Sequence, residues 1–154
     1  MKNARRQLIL FFITLFVVAF VFNFVWESNH AVLLYQDHNI PSSEYLPMMW
    51  YVSGMDGLSI LFLYAVVALL LKDVLWMNNA KKKGLTLFAG MALLLAALIE
   101  YRGVYVQGRW NYNELMPTIF GMGLSPFVQL AITGVVALLV ARRLVLCSAS
   151  NVSS

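Results

Sequence analysis

The sequence predicts an all-α membrane protein, a bundle of four transmembrane helices with both termini in the cytoplasm. The first observation is composition: 61% of the 154 residues are hydrophobic and 12% are charged, whereas soluble domains have about 25% charged residues. The second is the presence of four apolar runs near the roughly 20 residues that cross a bilayer. The third is the uneven distribution of lysine and arginine, which predicts the orientation of the spans.

The first span is predicted at about 8–26. Lys2, Arg5 and Arg6 precede it, as in a secretory signal. The apolar run is longer than the roughly 7–15 residues of a signal peptide core, and no small-residue cleavage site follows it. We therefore expect an uncleaved transmembrane helix.

The second and third spans are predicted at about 49–71 and 84–106. The second starts near Met49, enters the membrane through Trp50 and Tyr51, and contains Asp56 among small residues. The apolar part of the third ends at Ile99, which is short for a span. We therefore expect that helix to continue through Glu100 to about residue 106.

The fourth span is predicted at about 118–141, within a single domain of residues 1–147 followed by a flexible tail at 148–154. It contains Pro126, which is expected to kink the helix because proline removes a backbone hydrogen bond. The small residues around it favour close helix packing.

Basic residues indicate the orientation, because short cytoplasmic flanks are enriched in lysine and arginine. Only Arg102 and Arg109 lie on the predicted outer side. The other nine share the predicted cytoplasmic side: Lys2, Arg5, Arg6, Lys72, Lys81, Lys82, Lys83, Arg142 and Arg143. The sequence does not distinguish a bacterial inner membrane from an endoplasmic reticulum membrane.

Polar residues predict an acidic cavity that opens outward. Six of the seven acidic residues fall on the outer side or in the outer half of a span, and an acid inside a bilayer normally faces the bundle interior or a wet cavity. The predicted ligand-binding residues are Glu27, Trp50, Asp56, Glu100, Trp110 and Gln129, with Asn23 as a further wall residue. The two tryptophans would add cation–π contacts.

Asp56 and Glu100 are the candidate catalytic residues, because two carboxyls in unequal surroundings can act as proton donor and acceptor. The alternative is structural, with either acid paired to Arg102 or Arg109 or hydrogen-bonded across helices. Asp56 has no basic neighbour on its own helix, which favours a functional role there.

A metal site is only weakly indicated. Glu27 and His30 have the Glu-x-x-His spacing found in carboxylate-bridged di-iron bundles, and His38 follows. Those bundles need two such motifs within the core, whereas here one copy lies at a predicted helix end. No cofactor is identified, and no basic stripe interleaved with aromatics indicates nucleic-acid binding.

The segments Trp26-Glu27, Leu33-Leu34-Tyr35, Met55-Asp56 and Glu100 to Tyr105 resemble the EXPERA-type membrane proteins, the group of the emopamil-binding sterol isomerases and the sigma-2 receptor. The resemblance implies a lipophilic cavity with Glu27, Asp56 and Glu100 as its acids. The chain departs from that group because its second span contains no histidine.

Three functions follow as hypotheses. The first is binding or passage of a small lipophilic or cationic molecule in the acidic cavity. The second is an intramembrane enzyme performing acid–base chemistry, such as isomerisation, on a lipid or isoprenoid. The third is a structural subunit of a larger membrane complex. The expected partners are the lipid bilayer and this ligand, and homo-oligomers are compatible with the first and third hypotheses.

Overall fold

The computed structural model describes residues 2–36, 40–79 and 81–147. Four of its helices are long and apolar enough to cross a membrane, which confirms the all-α, multi-pass bundle. In chain order the elements are α1 Lys2–Leu34, α2 Ser42–Leu71, α3 Trp76–Asn79, α4 Lys81–Tyr101, β1 Thr118–Ile119, β2 Met122–Gly123 and α5 Leu124–Ala141.

Two helices continue beyond their α-helical bounds as π-helical turns. The first of these turns, Arg102–Val106, extends α4, so the third span reaches residue 106 as predicted. The second, Arg142–Cys147, extends α5. A π-helical turn is rare and marks a local change in helix geometry.

Helix α1 ends later, and helix α2 begins earlier, than the sequence predicted. Helix α1 continues eight residues past Trp26 to Leu34, so Glu27 and His30 lie inside a helix and not in a loop. Helix α2 begins at Ser42, directly after Pro41. Proline is common at helix starts because the first amides have no intrahelical acceptor.

The fourth span begins later than predicted, because residues 118–123 form a hairpin. Strand β1 pairs antiparallel with β2, and Phe120 and Gly121 between them both have positive φ, as in a two-residue hairpin turn. Pro126 is therefore the third residue of α5. The predicted kink is wrong, because a proline in the first turn removes an amide that lacks an intrahelical partner.

The four long helices alternate in direction. Helix α1 packs against α2 and α5, and α4 packs against α5 and α2. We call the end where α1 starts and α2 finishes the basic end, since it carries the nine basic residues, and the opposite end the aromatic end. The cytoplasmic placement of the basic end stays a prediction.

The core fills the half of the bundle at the basic end. The ring of Tyr64 stacks on Trp76 of α3 at 4.8 Å, and the Tyr64 hydroxyl donates to the Val74 carbonyl at 2.7 Å. Gly134 lets the ring of Phe88 approach the backbone of α5. Other fully buried side chains here are Phe11, Leu15, Ile60, Val67, Met77 and Leu138.

The connection between α4 and β1 covers the aromatic end. Asn113 donates its backbone amide to the Leu34 carbonyl at 3.0 Å and its side-chain amide to the Leu33 carbonyl at 2.8 Å. These carbonyls belong to the last turn of α1, which has no intrahelical donor for them. The bonds hold the connection across the end of the bundle, where it forms part of the candidate site.

Candidate functional site

A cavity of about 430 Å³ occupies the aromatic half of the bundle. All four long helices contribute to its wall, together with Tyr35, Gln36 and Ile40 and with the segment 109–111. Its main polar and aromatic wall residues are Glu27, Tyr35, Asp56, Glu100, Trp110 and Gln129. Carboxyls from three helices, those of Glu27, Asp56 and Glu100, therefore line one cavity.

Gln129 lies at the centre of a hydrogen-bond cluster. Its side-chain amide nitrogen lies 2.8 Å from a carboxyl oxygen of Glu27 and 3.1 Å from one of Asp56. The same nitrogen lies 3.1 Å from the amide oxygen of Asn23. A glutamine amide has two hydrogens, so three acceptors surround a group with two donor hydrogens.

Asn23 supports this cluster from below. Its amide nitrogen donates to the Ala19 carbonyl at 2.9 Å, which turns its oxygen toward Gln129. Thr133, one turn after Gln129 on α5, lies 3.1 Å from the same Asn23 oxygen. Both Asn23 and Thr133 are buried, and neither lines the cavity, so they form the floor of the cluster.

Glu100, on α4, has a different hydrogen-bond partner from Glu27 and Asp56. It is 2% exposed and accepts a hydrogen bond from the Tyr112 hydroxyl. The Trp110 indole in turn donates to that hydroxyl oxygen at 3.1 Å. Gly103 makes room for this indole, because a methyl group there would overlap the Trp110 ring.

Tyr35 and Tyr112, which lie outside the spans, have pKa values that are raised by burial and by the acids of the cavity. Burial, followed by the negative charges of Glu27 and Glu100, raises the pKa of Tyr35 above its ordinary value. Burial and the hydrogen bond to Glu100 raise the pKa of Tyr112. Both phenols therefore stay protonated at neutral pH, and that of Tyr112 donates to Glu100.

The arginines give limited support to a purely structural role for the acids. Arg109 lines the cavity at its rim, whereas Arg102 is on the exposed surface. The hydrogen-bond partners that the described part of the chain offers to Glu27, Asp56 and Glu100 are neutral groups. Among the described wall residues, three carboxyls thus accompany one guanidinium.

Trp50 lies elsewhere than predicted. It is 57% exposed and packs on the outer surface against Phe20 and Phe24, with ring centroids 5.1 and 5.8 Å away. Met49, Val52 and Asp56 lie at helical spacing and form the cavity face of α2. Trp50 is one residue, or about 100° of rotation, away from Met49.

The weak metal candidates do not converge in the described part of the chain. Glu27 lines the cavity, whereas His30 lines a separate groove. His38 lies outside the described residues. The described ranges contain no group of three or more histidine, cysteine, aspartate or glutamate residues placed to hold a metal ion.

Sequence reasoning missed Tyr35, Tyr112 and Asn111. Tyr112 holds Glu100, and Tyr35 and Asn111 line the cavity. All three belong to the connections, and an isolated backbone bridge pairs Tyr35 with Tyr112. The sequence signal for the two tyrosines is the excess of aromatics at the aromatic end, which also fits an interfacial belt.

No protein-family model, curated protein or solved structure matches this chain. The resemblance to the EXPERA-type proteins therefore stays a prediction.

Proposed function

We propose that this membrane protein binds or passes a small lipophilic cation, an alkylammonium, in the cavity of the aromatic half. The observation that supports this most directly is the arrangement around Gln129. Oxygens of Asn23, Glu27 and Asp56 lie 2.8–3.1 Å from one nitrogen. A ligand ammonium placed where that nitrogen lies would have the same three acceptors.

The chemistry of the three acceptors favours an ammonium over a neutral amide. A primary ammonium has three donor hydrogens, as lysine does, whereas the amide of Gln129 has two. Two of the acceptors are carboxyls, and a charged donor bonds to a carboxylate at about 2.7–2.9 Å. In this proposal Gln129 holds the site in the absence of ligand and moves aside when the cation enters.

The remaining wall suits a hydrocarbon group. Apolar side chains cover much of it, and a cavity of about 430 Å³ lies in the range of small-molecule sites, about 300–1,000 Å³. Trp110 adds an aromatic ring, which attracts cations electrostatically. The apolar wall residues are Met48, Met49, Val52, Ala96, Ile99 and Leu130.

A binding experiment tests this function. The full chain is reconstituted in phosphatidylcholine vesicles, and binding of radiolabelled octylammonium is measured with Asp56→Asn and Glu27→Gln variants. Each substitution removes one charged acceptor, so we expect at least about a tenfold loss of affinity. Glu44→Gln is the matched control, because Glu44 is exposed and does not line the cavity.

Two outcomes contradict the proposal. One is saturable binding of equal affinity in wild type and both cavity variants. The other is an equal loss in the Glu44→Gln control, which would indicate a surface-charge effect. Uptake of the same cation into sealed vesicles is then measured. Uptake indicates passage through the protein, and binding without uptake indicates binding alone.

A second candidate function is acid–base chemistry on a lipid or isoprenoid. It is supported by the unequal surroundings of the acids, since Glu100 accepts from a phenol whereas Glu27 and Asp56 share an amide. Incubating the protein with lipid extracts and analysing them by mass spectrometry tests it. A new lipid species that disappears with Glu100→Gln supports catalysis, and an unchanged lipid profile rejects it.

A further inference from the structure

A second concave surface lies between α1 and α5 and is separate from the acidic cavity. This groove has a volume of about 410 Å³. Phe22, Val25, Ile132 and Val136 are among its apolar wall residues, and no acidic or basic side chain of the described chain other than His30 lines it. The groove therefore suits a long hydrocarbon chain and not a charged group.

His30 is the unusual member of this wall. Its side chain is 3% exposed, and both ring nitrogens are buried without a hydrogen-bond partner among the described residues. The ring packs against that of Tyr35 in a tilted arrangement, with the ring centroids 4.9 Å apart. A buried polar group without a partner is costly, and most native ones are satisfied by protein or by another molecule.

The position of His30 along α1 places it near the surface of the hydrocarbon layer. It lies 24 residues after Arg6, or about 36 Å at 1.5 Å per residue. The hydrocarbon layer is about 30 Å thick. With Arg6 at one interface, His30 reaches the opposite interface, where lipid chains join their polar groups.

We propose that the groove binds one acyl chain of a membrane lipid that carries a free hydroxyl at the interface, as diacylglycerols do, and that this hydroxyl bonds to His30. A neutral imidazole has one donor and one acceptor nitrogen, and a hydroxyl pairs with either. The uncharged wall disfavours a phosphate headgroup. This site is independent of the function proposed for the acidic cavity.

The test uses the full chain in nanodiscs of dioleoylphosphatidylcholine containing a few per cent dioleoylglycerol. Native mass spectrometry measures the fraction of protein that retains dioleoylglycerol. The same lipid with its hydroxyl acetylated is the second probe. For wild type we expect about three- to tenfold weaker retention of the acetylated lipid, the effect of one lost hydrogen bond.

Two variants probe the site independently. His30→Phe keeps a ring but removes both nitrogens, so we expect it to retain the two lipids equally. Val136→Trp fills the groove with His30 intact, so we expect it to retain neither. Val136 is 37% exposed, and substitutions at such positions usually change stability little. Val21→Phe, on the exposed surface of α1 outside the groove, is the matched control.

The proposal is overturned if wild type retains the free and acetylated lipids equally. It is also overturned if Val136→Trp retains dioleoylglycerol as wild type does. The proposal is overturned as well if His30→Phe still retains the free lipid more strongly than the acetylated lipid, as wild type does. None of these measurements involves octylammonium. A negative result here therefore does not contradict the function proposed for the acidic cavity, which the octylammonium experiment tests separately.

Discussion

The two halves of the bundle are built from the same four helices and differ in what they bury. The half at the basic end buries large apolar side chains such as Phe11, Ile60 and Phe88. The half at the aromatic end buries Asn23 and Gln129 and encloses a cavity to which the described residues contribute three carboxyls. We therefore expect the packed half to supply most of the stability, which allows the other half to hold poorly compensated polar groups.

The largest expected effect comes from a cavity made in the packed half. Phe88→Ala removes a ring with 0% exposure that contacts α5 at Gly134. We expect the free energy of unfolding to fall by about 3–5 kcal/mol. Equilibrium unfolding in mixed detergent micelles measures it.

Ile99→Ala is the matched control in the other half. Ile99 lines the acidic cavity and is 43% exposed, so we expect a change within about 0.5 kcal/mol. Equal losses in the two variants would show that the halves do not differ in their contribution to stability.

An intermediate effect is expected from Gln129→Leu. The substitution removes the donor shared by Asn23, Glu27 and Asp56, and we expect a loss of about 2 kcal/mol in unfolding free energy. Adding Asp56→Leu removes one of the unsatisfied acceptors, so the double variant should lose less than the sum of the two single losses. Additive losses would mean that the two side chains are not coupled.

The smallest expected effect comes from a methyl group added at Gly103. Its Cβ would overlap the Trp110 ring, so we expect Gly103→Ala to lose about 1 kcal/mol of stability and to weaken octylammonium binding by displacing that ring. Gly90→Ala is the control, since its Cβ meets open space and alanine favours a helix by about 0.5–1 kcal/mol. A destabilised Gly90→Ala together with an unaffected Gly103→Ala would contradict this packing.

Much of the fold was predictable because lipid imposes simple requirements. Apolar runs of sufficient length must form helices that satisfy their own hydrogen bonds, and this identified all four spans. The boundaries of the first, second and fourth spans were less predictable. The extension of α1 to Leu34 and the hairpin at 118–123 depend on contacts with the covering connection and its neighbours, which have no periodic signal.

The candidate site was predictable in part for the same reason. Glu27, Asp56, Glu100 and Gln129 were identified because a polar group within a span must face inward. The error at Trp50 arose because an aromatic residue at an interface fits either a cavity wall or the outer surface. The structure shows that Met49, Val52 and Asp56 form the cavity face of α2, and Trp50 lies outside that face.

The sequence by itself determined the class of protein, the number of spans and the acids that face the bundle interior, because the cost of exposing polar groups to lipid is large and local. Only the tertiary structure decided which acids share a donor, which phenol holds Glu100 and where His30 lies. Those pairings depend on helix rotation and on a connection that folds back over α1, and many distant contacts set both.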